Sequence, residues 1–341
     1  MDFIIGCYSD GLQANEGMLL VELNRRSGQM AHKQVMLQTK NPSYALATSK
    51  AVYTVNEVEK ESPPKLHMSN SVSQHTVNLI GDSPCHLAVD KDQQFIAIAH
   101  YGTGNVNIVT LDSQGLPTDL IADLFVDGKG ANPDRQTSPH AHQVTFLSTR
   151  DQLAVVDLGA DVIHFYPYDR NSLTFENTPV QSVLMPAGSG PRHLVFDKIE
   201  ETAYVVCELS ETLVTLKDID DEWVVVDETD LLPNQEKGEA ASAIKLSPDG
   251  QFLYVSCRHQ NQISIFSVDG ALPKWLKSVE TEGDFPRDFA MSHDGQWCMV
   301  ANQRSNSLVS FKRDIDTGDL VYSGHTLKTT VPVCVVPMLA E

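Results

Sequence analysis

Short apolar runs recur along this chain as variants of one phrase. A strand opens at or near a proline, a turn follows that is often written Asp-Gly, and a second apolar strand ends on a polar residue. Copies begin at Pro42 (NPSYALATSKAVYTVNE), Pro84 (SPCHLAVDKDQQFIAIAHY), Pro139 (SPHAHQVTFLSTRDQLAVVD), Pro191 (GPRHLVFDKIEETAYVVCE), Ala241 (ASAIKLSPDGQFLYVSCR), Pro286 (FPRDFAMSHDGQWCMVANQ) and Pro332 (VPVCVVPM). Successive starts differ by 42, 55, 52, 50, 45 and 46 residues. An all-strand repeat of roughly 40–50 residues predicts a propeller with one blade per copy.

Each phrase is followed by a third apolar run, at 104–112, 161–169, 212–220, 261–269 and 306–314, and a more variable fourth such as 223–229. These runs are rich in Val, Ile, Phe and Tyr, and none carries a long 3.6-residue period, so the pattern predicts strands and almost no helix. Asp249-Gly250 and Asp294-Gly295 fall where tight hairpin turns are expected. At the ends, 3–9, 16–24 and 30–37 read as second, third and fourth strands, and 332–338 as a lone first strand. Joining them completes a seventh blade and leaves no open sheet edge. The blade starting at Pro42 is the least regular: 59–74 is polar, and KLHMS is its only candidate third strand. The expectation is one all-β, seven-bladed propeller domain over 1–341, closed by the N- and C-terminal strands in one blade.

Composition narrows the functional classes. At 341 residues the chain is long for one ordinary domain, but repeats override that prior. There is no run of 18 apolar residues, so no transmembrane helix and no membrane partner is expected. IIGC at 4–7 has neither a basic region before it nor a full apolar stretch, so it reads as strand, not as a lipoprotein signal. Cys7, Cys85, Cys207, Cys257, Cys298 and Cys334 lie inside predicted strands without paired spacing, as small buried side chains of a cytoplasmic, reducing environment. A net charge of −20 argues against nucleic acid and means that cations binding an anionic ligand must be gathered locally. A monomer is expected.

In a propeller the first strand of each blade lines the channel and the second runs antiparallel to it. Strand-one starts and strand-two ends therefore share one mouth. The starts carry His86, His140, His142, Arg192, His193, Arg287 and Asp288; the ends carry Tyr8, Glu57, Tyr101, Asp157 or Leu158, Glu208, Arg258 and Gln303. Buried together, these groups would cost several kcal/mol unless they paired or bound something. Arg192 and Glu208 could be a salt bridge within one blade, with Arg258 capping the same carboxylate. His86, His142 and His193 could be structural. His140 and His142 in PHAH lack a third ligand at fixed spacing, so no metal site is expected.

GPRHLVF (190–196), YVVCE (204–208), SPDGQFLYVSCR (247–258), EGDFPRDF (282–289) and SPHAH (138–142) together resemble the lactonase family of seven-bladed propellers, which includes 6-phosphogluconolactonases and fungal carboxymuconate cyclases. The likeness spans nearly the whole chain. The register makes Arg287, His142, Asp157, His193 and Gln303 candidate substrate contacts; the likeness implies a site of His140, Arg192, Glu208 and Arg258, with no cofactor. It also implies hydrolysis of a small anionic sugar lactone, 6-phosphogluconolactone of the pentose phosphate pathway above all. His140 or Glu208 would be the general base, Arg192 and Arg258 the oxyanion and carboxylate partners, and Arg287 a phosphate anchor. A muconate-type cycloisomerase and a non-catalytic binding scaffold are the alternatives.

Overall fold

A computed structural model of the chain describes residues 1–9, 17–59 and 62–339. Among them every regular element is a strand, and no helix is long and apolar enough to cross a membrane, which says nothing about strands. The strands form seven sheets, the blades of a seven-bladed β-propeller.

The closing sheet contains β1 (Asp2–Cys7), β2 (Met18–Leu23) and β3 (Met30–Leu37). The next comprises β4 (Pro42–Ala47), β5 (Val52–Asn56), β6 (Lys65–Ser69) and β7 (Gln74–Asn78), and the third β8 (Pro84–Val89), β9 (Phe95–His100), β10 (Val106–Leu111) and β11 (Pro117–Leu124). Then come β12 (Ala141–Phe146), β13 (Gln152–Asp157), β14 (Val162–Asp169), β15 (Thr174–Phe175) and β16 (Gln181–Leu184). They are followed by β17 (Pro191–Phe196), β18 (Thr202–Cys207), β19 (Thr212–Ile219) and β20 (Glu222–Asp230). The last two complete sets are β21 (Ala241–Leu246), β22 (Phe252–Cys257), β23 (Gln262–Ser267) and β24 (Lys274–Glu280), then β25 (Pro286–Met291), β26 (Trp297–Asn302), β27 (Ser307–Arg313) and β28 (Leu320–Lys328). Strand β29 (Pro332–Pro337) pairs antiparallel with β1, Ile4 opposite Val336, so the N- and C-terminal strands share a blade as expected.

Two expectations change in detail. The irregular blade has KLHMS as its third strand and a further strand, β7, in a stretch whose polarity hid it: its residues are nearly all exposed, as an outermost strand permits. In the blade starting with β12 the outer strand is broken into β15 and β16, with Pro179 in the intervening segment, where proline cannot donate to a ladder.

By internal contacts the chain groups into two compact units, Met1–Ala47 with Glu211–Leu213 and Asp227–Glu341, and Thr48–Ser210 with Val214–Val226. Within the second unit, Phe95, Val144, Leu153 and Tyr166 pack in one core cluster, and Phe165, Leu194, Val205 and Trp223 in another. Within the first, Phe3, Val21, Trp297 and Met299 form one core cluster, and Phe252, Tyr254, Phe289 and Phe311 another. All six cysteines are unbridged and buried within strands.

Register near the start of each first strand sets the site. Pairing slips between Pro84 and His86, Ala141 and Gln143, Pro191 and His193, Ala241 and Ile244, and Pro286 and Asp288. The same irregularity separates Gly6 from Cys7 opposite β29. A β-bulge of this kind inserts an extra residue and re-aims its side chain. Cys85, His142, Arg192 and Arg287 are the residues so displaced. The equivalence also corrects one start: the strand after Pro139 begins at Ala141, so His140 lies just upstream of it, at the position of Gly190 before Pro191.

Candidate active site

In several blades, one residue beyond the second strand, a backbone N–H returns to the residue before the partner first strand. Tyr101 N donates to Ser83 O at 3.0 Å, Leu158 N to His140 O at 3.0 Å, Glu208 N to Gly190 O at 2.7 Å, Arg258 N to Ala240 O at 3.1 Å and Gln303 N to Phe285 O at 3.0 Å. These bonds identify Tyr101, Leu158, Glu208, Arg258 and Gln303 as equivalent positions. Between the two residues left open at one of them, Leu158 is the member, and Asp157 is the last residue of β13.

The second unit brings six of the named residues into one neighbourhood. Glu208 and Arg192 are 4 % and 3 % exposed, and Arg192 Nε lies 3.1 Å from Glu208 Oε2. The other carboxylate oxygen, Oε1, accepts from Arg135 Nη2 at 2.8 Å. The same Nη2 is 3.3 Å from the Tyr101 hydroxyl. The Tyr101 ring stacks on His140 with centroids 4.5 Å apart. Two guanidiniums therefore flank one buried carboxylate, one at each oxygen. For Arg135, burial by itself lowers the pKa, but the bonds to Tyr101 and Glu208 and the Glu208 charge outweigh it and raise the guanidinium above its ordinary range.

His140 Nδ1 lies 2.6 Å from the Tyr101 carbonyl oxygen. A carbonyl can only accept, so Nδ1 carries the hydrogen and Nε2 of the neutral ring is left with its lone pair. The imidazole is fixed from behind as well. A Cβ on Gly159 would run into the Ser138 carbonyl and the His140 ring, so glycine is required there.

His86, His142 and His193, all at most 6 % exposed, meet edge to face: His193 is 5.3 Å from His86 and 5.1 Å from His142. His193 Nδ1 is also 3.3 Å from Arg192 Nη1. His142 also meets the Tyr101 ring edge to face at 5.5 Å, and among the described residues no group of His, Cys, Asp or Glu is arranged to hold a metal.

Arg258, Arg287 and Gln303 belong to the first unit. Arg258 donates from Nε to Ala240 O at 2.9 Å and lies over the Phe285 ring at 5.2 Å. Arg287 lies 5.2 Å over Tyr8. Gln303 is half-buried, one residue beyond β26.

The family model for Lactonase, 7-bladed beta-propeller, matches residues 2–337. The chain belongs to this lactonase family. It is 29% identical over 345 residues to a 6-phosphogluconolactonase of Bacillus subtilis (strain 168), covering 97% of this chain and 96% of that one. It is 28% identical to a 6-phosphogluconolactonase of Formosa agariphila, with 93% of each chain covered. Among solved structures it is similar to the periplasmic gluconolactonase PpgL of Pseudomonas aeruginosa, at 26% identity, TM-score 0.85 and 98% coverage of each chain. A Lactobacillus plantarum protein matches at 27% identity, TM-score 0.89 and 98% coverage of each chain.

In this member of the family, Arg135 is the residue beside Glu208 that sequence reasoning missed. It sits on the connection from β11 to β12, outside every repeat. The segment is nonetheless built: Asn132 Oδ1 accepts from the Asp134 and Arg135 amides at 3.0 and 3.1 Å, and the neighbouring Gln136, 1 % exposed, donates to Leu158 O at 2.8 Å and to Asp161 Oδ1 at 2.7 Å. The available signal was a lone Arg in a polar connector longer than its counterparts.

Asp157 holds the turn that carries His140. Its Oδ1 accepts from the His140, Gly159 and Ala160 amides at 2.8, 2.9 and 3.1 Å, which shapes the turn carrying His140. Burial pushes its pKa up to about 6 from 3.8, against the lowering effect of those amides and of His140. A raised carboxyl pKa stabilises the fold fully below the unfolded value near 3.8, and that contribution is lost as pH rises through about 6. Asp157→Asn keeps an acceptor oxygen without the buried charge. Its stability relative to wild type should rise from pH 4 to pH 8 by about 2 kcal/mol, as read by thermal melts across that range. A flat difference would mean that the carboxylate is not penalised.

Proposed function

We propose that this protein hydrolyses a sugar lactone, 6-phosphogluconolactone by preference, and that 1–341 acts as one propeller domain. Membership of the lactonase family and the two relatives named 6-phosphogluconolactonase support lactone hydrolysis. The observation that carries the residue roles is the His140 Nδ1 bond to the Tyr101 carbonyl, which leaves Nε2 as acceptor. In this reading His140, not Glu208, is the general base, because Glu208 is already engaged by two guanidiniums.

The steps follow. His140 Nε2 takes a proton from a water as its oxygen adds to the lactone carbonyl carbon. The oxyanion that forms draws on the positive charge of Arg192, with Glu208 orienting the guanidinium. Collapse of the tetrahedral carbon breaks the ring C–O bond, and the imidazolium returns its proton to the departing alkoxide, giving the hydroxy acid. Arg258 stays in the proposal as a partner of the oxyanion or carboxylate, and Arg287 and Gln303 as substrate contacts read from the sequence register.

The test is a pH-stat assay on purified protein with 6-phosphoglucono-δ-lactone, glucono-δ-lactone and muconolactone, each corrected for spontaneous opening. The expected result is turnover of the sugar lactones with the phosphorylated one favoured in kcat/KM. Turnover of muconolactone alone would assign the cycloisomerase chemistry instead, and no turnover of any would leave a binding scaffold.

A further inference from the structure

We propose that Arg135 is the specificity-determining residue of this site, reading the phosphate of a phosphorylated sugar lactone or acid. The inference rests on the lactonase reading for its substrate class. It differs from the expectation that Arg287 anchors the phosphate.

Arg135 is the more accessible of the two guanidiniums on Glu208: its side chain is 40% exposed, that of Arg192 only 4%. A guanidinium has five N–H bonds. In Arg135 the contacts to Glu208 and Tyr101 both come from Nη2, and Nη1 and Nε donate to no described residue. Those donors are fixed in a plane that Glu208 and Tyr101 already orient, and the backbone beneath is pinned through Asn132 and Gln136. Preorganised donors of this kind suit an anionic oxygen and lose little entropy on binding it.

Charge and placement agree. Two guanidiniums meet Glu208 within a chain of net charge −20, so positive charge is gathered locally here. A neutral lactone ring has little use for a half-exposed guanidinium; a phosphate dianion pairs with one. Tyr101 links the two ends of the cluster, its ring against His140 and its hydroxyl against Arg135. The imidazole thus lies over the face of the ring whose hydroxyl meets the guanidinium. A six-membered lactone whose exocyclic carbon bears phosphate presents its carbonyl carbon and its phosphorus at opposite ends. His140 and Arg135 would then address opposite ends of one substrate.

The experiment is calorimetric titration of 6-phosphogluconate and of gluconate into wild type, Arg135→Gln and Arg135→Lys, with turnover of the two parent lactones measured on the same preparations. Wild type should prefer the phosphorylated acid by about tenfold or more, the worth of one hydrogen bond to a charged group. Arg135→Gln should bring that ratio to within about twofold of unity, and Arg135→Lys should restore part of it, since charge survives but the planar donor set does not. An undiminished ratio in Arg135→Gln, or no preference in wild type, overturns the proposal. If Arg135→Gln does not fold, Arg135→Lys decides: a ratio equal to that of wild type counts against it. Failure of the lactonase reading looks different, namely an Arg135-dependent binding ratio with no lactone turned over.

Discussion

His140→Ala should lower lactone turnover by about 10²–10⁴, the usual contribution of a positioned general base, while the melting temperature changes little. The ring is partly exposed and its backbone is held independently by Asp157 and Leu158, so its loss removes chemistry before structure. His140→Gln is the sharper control, because its amide can still donate to the Tyr101 carbonyl but offers no basic nitrogen. Activity in either variant within a few-fold of wild type would take His140 out of the base role. The measurement is kcat by stopped pH-stat alongside a thermal melt.

Glu208→Ala should be the most damaging single change to stability at the site, at about 3–5 kcal/mol, because it leaves Arg192 buried and charged without its carboxylate. The reverse deletion is expected to cost less. In Arg192→Ala, Glu208 keeps Arg135, whose half-exposed side chain can adjust toward it. Catalysis separates differently: Arg192→Lys preserves charge but should still lose about 10²–10³ in rate if the guanidinium stabilises an oxyanion. Pairing Arg192→Met with Glu208→Leu should recover most of the stability and none of the activity. Chemical denaturation of the four proteins with turnover on each reads both quantities. Equal destabilisation by Glu208→Ala and Arg192→Ala would show that Arg135 contributes no compensation.

The blades were legible because a strand repeat advertises itself twice, in alternation within a strand and in the period between copies. The Arg192–Glu208 pair was legible for a related reason: the two residues flank one hairpin, and hairpin pairing is local in sequence. What lay beyond reach depends on offsets of one or two residues. The bulge at His142 shifts the inward–outward alternation, so Pro139 passed for a strand start and Asp157 competed with Leu158 for one position. Arg135 was hidden for a different reason. Connectors carry no period, and nothing in GKGANPDRQTSP announces that Gln136 will fasten the segment against Leu158 and Asp161.

The pairing of β1 with β29 also has a consequence in time. Ile4 meets Val336, partners separated by nearly the whole chain, and no shorter-range contact can substitute for that ladder. The other six sheets are built from neighbouring strands and can condense locally. Closing so long a loop is costly mainly in search, since its entropy grows only slowly with length, and non-local pairings slow folding. The expected order is thus early hairpins, with β1 docking onto β29 last. Until that step β1 lacks one neighbour, and a chaperone or a second nascent chain competes for the same edge.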